Sequence, residues 1–278
     1  MTQAVHHLDC GSMCPRAGRL VGGDRWLSRG RMVCHCLLIE TDRDGLVLVE
    51  TGFGTADCAD PSRLPRAFRA MVSPRLDPAE TARAHVLALG YQPGDVRHVV
   101  VTHLDLDHAG GLPDFPWATV HVHRFEHAAA MRRADVNSRA RYQPTCWEHG
   151  PRWATYEADG DRWMGLPAVR RLDGLHADLA LVPLLGHTRG HSAVAVQRGS
   201  RWLLHAGDAY FHRDELTPAA KVPPGLRLLA EVDQVDRAAR LASVDALRQL
   251  RAQRTDIDIV CAHDPVELDR AATADRPA

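Results

Sequence analysis

His103, Asp105, Asp107 and His108 lie within six residues, just after the apolar run Val99-Val100-Val101 and just before Gly110-Gly111. The run is continuous and β-branched, which fits a strand buried on both faces. If the chain stays extended past Thr102, His103 and Asp105 project to one side, because side chains alternate with period two. Asp107 and His108 then fall at the turn into a short helix, and the two glycines let the backbone turn away. Imidazole and carboxylate donors converging at a strand end suit a borderline metal ion such as zinc, which accepts both. The plainer alternative is a solvated acidic loop with two incidental histidines.

Four further stretches weigh against that alternative. In 183–191, Pro-Leu-Leu-Gly-His-Thr-Arg-Gly-His, His187 follows an apolar strand and sits between glycines that open the backbone. Asp208 follows a second apolar run at 202–206, and His263 follows a third at 257–262. Upstream, Leu46-Val-Leu-Val ends in Glu50, Thr51 and a glycine turn. Donors that recur where strands stop imply one shared edge.

With these residues in this order, the chain resembles the metallo-β-lactamase-fold hydrolase superfamily, nearest in look to its N-acyl-homoserine lactonase branch. The pattern is His-x-His-x-Asp-His, then Gly-His-Thr/Ser-x-Gly-His, an Asp and a final His, and the resemblance runs from about residue 33 to 263. It implies an α+β fold, a four-layer αββα sandwich of two mixed β-sheets flanked by helices, as one domain over 1–278. It also implies a dinuclear metal centre, with His103 and His187 serving one ion, Asp107, His108 and His263 the other, and Asp208 bridging.

Two positions depart from the pattern. Asp105 stands where the superfamily has its second histidine, so one site becomes His/Asp/His. The added charge and hardness favour manganese or iron over zinc, or weaken that site. Glu50 replaces a common Asp and is expected to brace the metal loops by hydrogen bonds behind the donors. The cofactor expectation is therefore one or two zinc ions, with manganese or iron as alternatives.

A metal-held water has its pKa lowered from about 15.7 towards about 7, which makes hydroxide available for attack without a serine or cysteine nucleophile. A carbonyl leaning on the metal becomes more electrophilic, and the oxyanion is stabilised by the same charge. Asp107 would take a proton from the nucleophile and pass it to the leaving alkoxide. Tyr210, two residues after Asp208, is either a donor to the carbonyl or leaving oxygen, as lactonases of the superfamily carry a tyrosine near the bridging Asp, or a buried core tyrosine. His191 and His205 are read as supports for the loops.

The remainder sets bounds. The 278 residues suffice for a substantial core, and 45% hydrophobic with 25% charged residues is ordinary for a soluble globular chain. A net charge of −1 gives no reason to expect nucleic acid. No apolar run reaches the roughly 18 residues of a membrane span, and the N-terminus lacks a signal pattern, so no membrane partner and a cytoplasmic location are expected. Seven cysteines argue against a disulfide framework. Cys10, Cys14, Cys34 and Cys36 lack the knuckle spacing of a zinc ribbon and are read as structural thiols. Oligomeric state is not legible.

The expected elements are strands over 32–39 and 46–51, helices over 61–72 and 78–89, and a strand over 118–123 carrying His121 and His123 as exposed or hydrogen-bonded side chains. A helix follows over 125–134, then a hairpin over 192–205, a helix over 232–254 with a stripe of Val235, Ala239, Leu241, Leu247 and Leu250, and a strand over 257–261. Capping by Asp77 starts the second helix, whose Val86, Leu87 and Leu89 would face a sheet. A charged tail beyond Asp264 is expected to fray. The irregular segment 137–176 reads as a lid or substrate loop, with Tyr142, Trp147, His149, Trp153 and Trp163 either roofing an apolar substrate or packing in the ordinary way beneath a surface loop.

The leading expectation is a metal-dependent hydrolase that opens a lactone or cleaves a small carboxylic ester. A thioesterase of the hydroxyacylglutathione hydrolase kind would need a basic pocket, for which Arg139, Arg141, Arg152 and Arg189 are candidates by charge. A metal-containing small-ligand binding protein with little turnover is the alternative from a different class, and a mononuclear iron dioxygenase a third.

Overall fold

The computed structural model describes residues 2–23, 25–159, 161–169 and 171–274. In chain order come β1 (Thr2–Asp9), β2 (His35–Thr41), β3 (Leu46–Val49), α1 (Thr55–Ala59), α2 (Arg66–Val72), α3 (Ala82–Ala88), β4 (Val96–Val100), α4 (Leu106–Ala109), β5 (Thr119–His123), α5 (Arg124–Arg132), α6 (Val136–Arg141) and β6 (Arg152–Tyr156). The short pair β7 (Arg162–Trp163) and β8 (Leu166–Pro167) leads to β9 (Leu179–Pro183), β10 (Ser192–Arg198), β11 (Arg201–His205), α7 (Pro224–Val232), α8 (Arg237–Gln253), β12 (Ile257–Val260) and α9 (Pro265–Ala274).

Two mixed sheets result. One runs β1-β2-β3-β4-β5-β6, antiparallel up to β3 and parallel from β3 to β6. The other runs β12-β11-β10-β9, with β11 and β12 parallel.

Residue alternation explains why the strands are apolar throughout. Leu37, Ile39, Val47, Val49 and Val100 of the first sheet meet Leu179, Leu181, Val194, Val196 and Leu203 of the second in one core. Their immediate neighbours point outward: Leu38, Leu48, Val99 and Val101 pack under α2 and α3 residues such as Val72 and Val86. Ala180, Val182, Ala193, Ala195 and Leu204 pack under Val244, Leu247 and Leu250 of α8. The central strands are thus covered twice, and the chain adopts the four-layer sandwich.

Several expected elements differ. The segments 61–72 and 78–89 each open with a 3-10 turn, at Pro61–Arg63 and Pro78–Glu80, before the α-helix starts. Asp77 does accept from the Ala79 N–H at 3.0 Å, but it caps the 3-10 turn, and Thr81 caps α3. So short a helix has one narrow buried face, which Val86 takes, leaving Leu87 and Leu89 exposed. The helix expected over 232–254 breaks after Val232, where the Gly186 carbonyl accepts the N–H groups of Val235 and Asp236. Its buried stripe is Arg240, Ser243, Val244, Leu247 and Leu250, whereas Val235 is exposed.

The tail beyond Asp264 forms α9: Asp264 accepts the Val266 N–H at 2.9 Å and Leu268 is buried, while residues 275–278 lie outside the described residues. His121 is buried between His98 and Tyr156, at 2.9 and 2.8 Å, and His123 caps α5. All seven cysteines are free, five of them buried. Among the described residues no helix is long and apolar enough to cross a membrane.

Candidate metal centre

β4 ends at Val100, and the chain bends at Thr102 before α4 begins at Leu106. Glu50, the residue after β3, holds this turn in place. It sits at φ +65°, a left-handed conformation that costs a non-glycine residue roughly 1–3 kcal/mol. In exchange its carboxylate accepts the Thr102 N–H with one oxygen and the His108 Nδ1–H, at 2.9 Å, with the other. Thr51 adds its N–H and hydroxyl to the His108 carbonyl, at 2.9 and 2.7 Å. Gly110 and Gly111 serve closeness rather than a special turn: Gly110 is helical, and a Cβ on either would come within 3 Å of backbone oxygens.

The second sheet contributes three loops. After β9, Leu184 to His191 carries His187; after β11 the turn at Gly207 carries Asp208; after β12 comes His263. Gly207 is needed at φ +53°, since a Cβ there would lie 2.6 Å from His191 Nε2. His191 donates from Nδ1 to the Leu184 carbonyl and accepts the Asp208 N–H at Nε2, so it joins two of these loops without facing the cluster. His205 is equally structural, bonding the His35 carbonyl.

All seven expected metal donors converge. His103, Asp105 and His187 form one triad, and Asp107, His108 and His263 form another. Asp208 lies between them. Its Oδ1 is 3.1 Å from His263 Nε2 and 3.4 Å from His108 Nε2, and its Oδ2 is 3.6 Å from His187 Nε2.

The second triad fits a cation. His263 Nδ1 bonds the Val33 carbonyl and His108 Nδ1 bonds Glu50, so both rings donate backwards and present a bare Nε2. Those lone pairs face the carboxylate oxygens of Asp208 and Asp107, acceptor against acceptor, unless a metal ion or extra protons stand between. Among the described residues, His108 Nε2 and Asp208 Oδ1 are buried without a hydrogen-bond partner.

Charge tells the same story. Burial would lower the His108 imidazole, but Asp208, Glu50 and Asp107 push it well above its usual range. Burial would raise Asp208, but His263 and His108 hold it well below. Burial drives Asp107 upward.

The first triad differs. Arg141, at the end of α6, reaches into it: Nη1 donates to Asp105 Oδ2 at 2.6 Å and to His187 Nε2 at 3.1 Å. Against the upward push of burial, that guanidinium and then His103 hold Asp105 well below the usual carboxylate range.

Several residues here carried no motif. Glu126, fully buried on α5, accepts the Leu104 N–H at 3.0 Å, the Thr188 hydroxyl at 2.6 Å and the Gly190 N–H at 3.1 Å, tying the two metal loops together. Asp233 anchors Arg141, and Arg141 itself stood out by charge alone.

Two expectations fail. Tyr210 is fully buried in the outer core of the second sheet, its hydroxyl donating to Glu267 at 3.0 Å, so it does not serve the site. The aromatic roof fails for its tryptophans. Trp147 and Trp163 fill outer cores, and Trp153 packs on His127. Of segment 137–176, its first few residues, including Arg141 and Tyr142, line the cavity.

That cavity, about 560 Å³, has Asp105, Asp107, Asp208 and His263 in its lining. Its apolar wall comes from Met13, Met32, Phe68, Met71, Leu229 and Val232.

Residues 29–263 match the model of the metallo-β-lactamase superfamily. A protein of Mycobacterium tuberculosis named "Probable metallo-hydrolase" is 42% identical over 262 residues, 94% of this chain and 80% of its own length. The N-acyl homoserine lactonase AttM of Rhizobium johnstonii is 30% identical over 231 residues, 81% of this chain and 80% of its own. A solved N-acyl homoserine lactone hydrolase, with the product N-hexanoyl-L-homoserine at its catalytic metal centre, superposes with a TM-score of 0.72 at 19% identity, covering 97% of this chain and 96% of that one. At that identity the likeness speaks for the fold alone. The chain is a metal-dependent hydrolase of the metallo-β-lactamase superfamily.

Proposed function

We propose that this hydrolase opens lactones or cleaves small carboxylic esters that carry an apolar acyl group. The observation that carries the reading is one carboxylate, Asp208, set between two donor triads in a cavity that has an apolar wall beside its polar one. The lactonase relative supports the same substrate class.

When bound, the metal supplies the charge that ionises water near neutral pH and polarises an ester carbonyl. Asp107 borders the cavity, where its carboxylate is placed to accept a proton from the attacking water and return it to the leaving alkoxide. Tyr210 has no part in this. Met71 and Val232, both at least half exposed at the rim, offer an apolar surface to an acyl chain.

A glutathione thioester would ask for free basic groups. Arg139 is spent on the Arg133 and Ala134 carbonyls, Arg152 on the Trp117 carbonyl, and Arg141 on Asp105 and Asp233, which leaves Arg189 at the cavity. The ester reading is favoured over the thioester reading on that ground.

The test is a panel of lactones and esters of graded acyl length, assayed after reconstitution with zinc, manganese or iron, on the native chain and on Asp208→Ala. Metal-dependent turnover that Asp208→Ala abolishes together with bound metal is expected. Metal binding without turnover across the whole panel would favour a ligand-binding role instead.

A further inference from the structure

The two triads offer the same kinds of donor, yet their surroundings differ in one respect. Among the described residues, the hydrogen bonds and ion pairs of Asp107, His108, His263 and Asp208 involve no arginine or lysine. In the other triad the guanidinium of Arg141 donates to Asp105 and to the Nε2 of His187, the nitrogen whose lone pair faces the cluster. Its second arm is anchored away from the donors, on the Asp233 carbonyl at 2.7 Å and the Asp233 carboxylate at 2.5 Å. The side chain is nearly buried, and its charge is permanent at any working pH.

We propose that Arg141 is a resident cation of the His103/Asp105/His187 half, so that the chain holds one metal ion tightly in the Asp107/His108/His263/Asp208 half and admits a second only when the guanidinium is displaced. The inference rests on the metal-dependent reading above and refines it. A metal ion entering the first triad must take the His187 lone pair from an N–H donor and share Asp105 with a positive charge 2.6 Å away. Both requirements weaken binding there and leave the other triad untouched.

The departure at Asp105 and the reach of Arg141 then explain one another. An imidazole at that position would offer the guanidinium no anion. A carboxylate neutralises it and lets it stay. Asp233, which among the described residues has no hydrogen bond to any of the seven donors, sets how firmly the arginine is held.

The experiment is metal titration of the stripped full-length protein with zinc alone, and separately with manganese alone, read by native mass spectrometry and elemental analysis. Native chain, Arg141→Met, Arg141→Lys and Asp233→Asn are compared, with circular dichroism and Tm as the check on folding. The native chain is expected to bind one ion tightly, with a second roughly 10- to 100-fold weaker, the range by which groups behind metal ligands alter affinity.

Arg141→Met is expected to bind two ions of similar affinity, and Arg141→Lys to stay close to the native pattern. Asp233→Asn loosens the arginine without touching a donor, so it is expected to strengthen the second ion even if Arg141→Met proves unstable. Two ions of equal affinity in the native chain would overturn the inference and leave the hydrolase reading intact. So would a well-folded Arg141→Met whose second ion is as weak as in the native chain. A native chain that takes up no metal would overturn both.

Discussion

In one half of the donor cluster each imidazole is turned by an acceptor behind it; in the other a cation reaches in from the front. His108 is held by Glu50 and His263 by the Val33 carbonyl, so both Nε2 lone pairs point at Asp208 with nothing to receive them. His187 has no partner at Nδ1 and accepts from Arg141 at Nε2. At its Nδ1, His103 meets the Thr102 hydroxyl, at 2.8 Å, a group that can give or take a proton. Residue types alone would rate the two triads as equal. What separates them is the set of groups behind and beside the donors, which decides whether a site asks for a cation or already has one.

Exchanging the groups behind the donors is the sharpest way to break this comparison. Glu50→Gln removes a charged acceptor from His108 and offers an amide in its place. Metal affinity of the tight half is expected to fall roughly 10- to 100-fold, measured by competition with a chelator. The counterpart, Thr102→Val, removes the hydroxyl behind His103 and should leave the tight ion unchanged. Equal losses in the two variants would mean that the halves are equivalent.

A smaller effect lies further from the donors. Glu267 supports the loop that delivers His263, accepting the Cys261 N–H at 2.8 Å as well as the Tyr210 hydroxyl. Burial, more than any charged neighbour, raises its pKa from 4.5 to about 7. The folded chain therefore keeps a proton that the unfolded chain has released. The resulting stability is complete below the unfolded pKa of 4.5 and is lost as pH rises through about 7. Glu267→Gln should remove this dependence, flattening the fall in Tm between about pH 5 and about pH 8 by a few degrees, or roughly 1–2 kcal/mol. An identical Tm profile in the variant would show that Glu267 titrates alike in both states.

Much of the site was legible because its donors follow strands. Val99-Val100-Val101 and Leu203-Leu204 are apolar on both faces, and their strands end, with β12, at a common edge where His103, Asp208 and His263 meet. The brace at Glu50 was legible for the same reason. Glu126 and the Arg141–Asp233 pair were not, since their partners lie 22, 36 and 92 residues away and no local period marks such contacts.

Tyr210 misled because nearness in sequence was taken for nearness in space. The left-handed turn at Gly207 sends Asp208 to the cluster and, two residues on, Tyr210 into the opposite core. The helix boundaries failed where Pro61 and Pro78 open 3-10 turns and where the Gly186 carbonyl captures two N–H groups that a longer helix would have used.

The claim that this cluster is a metal centre is tested most directly by diffraction from crystals grown with zinc, with data collected at the zinc absorption edge. The account predicts an anomalous peak among the Nε2 atoms of His108 and His263 and the carboxylates of Asp107 and Asp208, and no equal peak beside His187 while Arg141 stands there. Absence of any peak among those four residues, or a peak on Cys10, Cys34 and Cys36 instead, would contradict it.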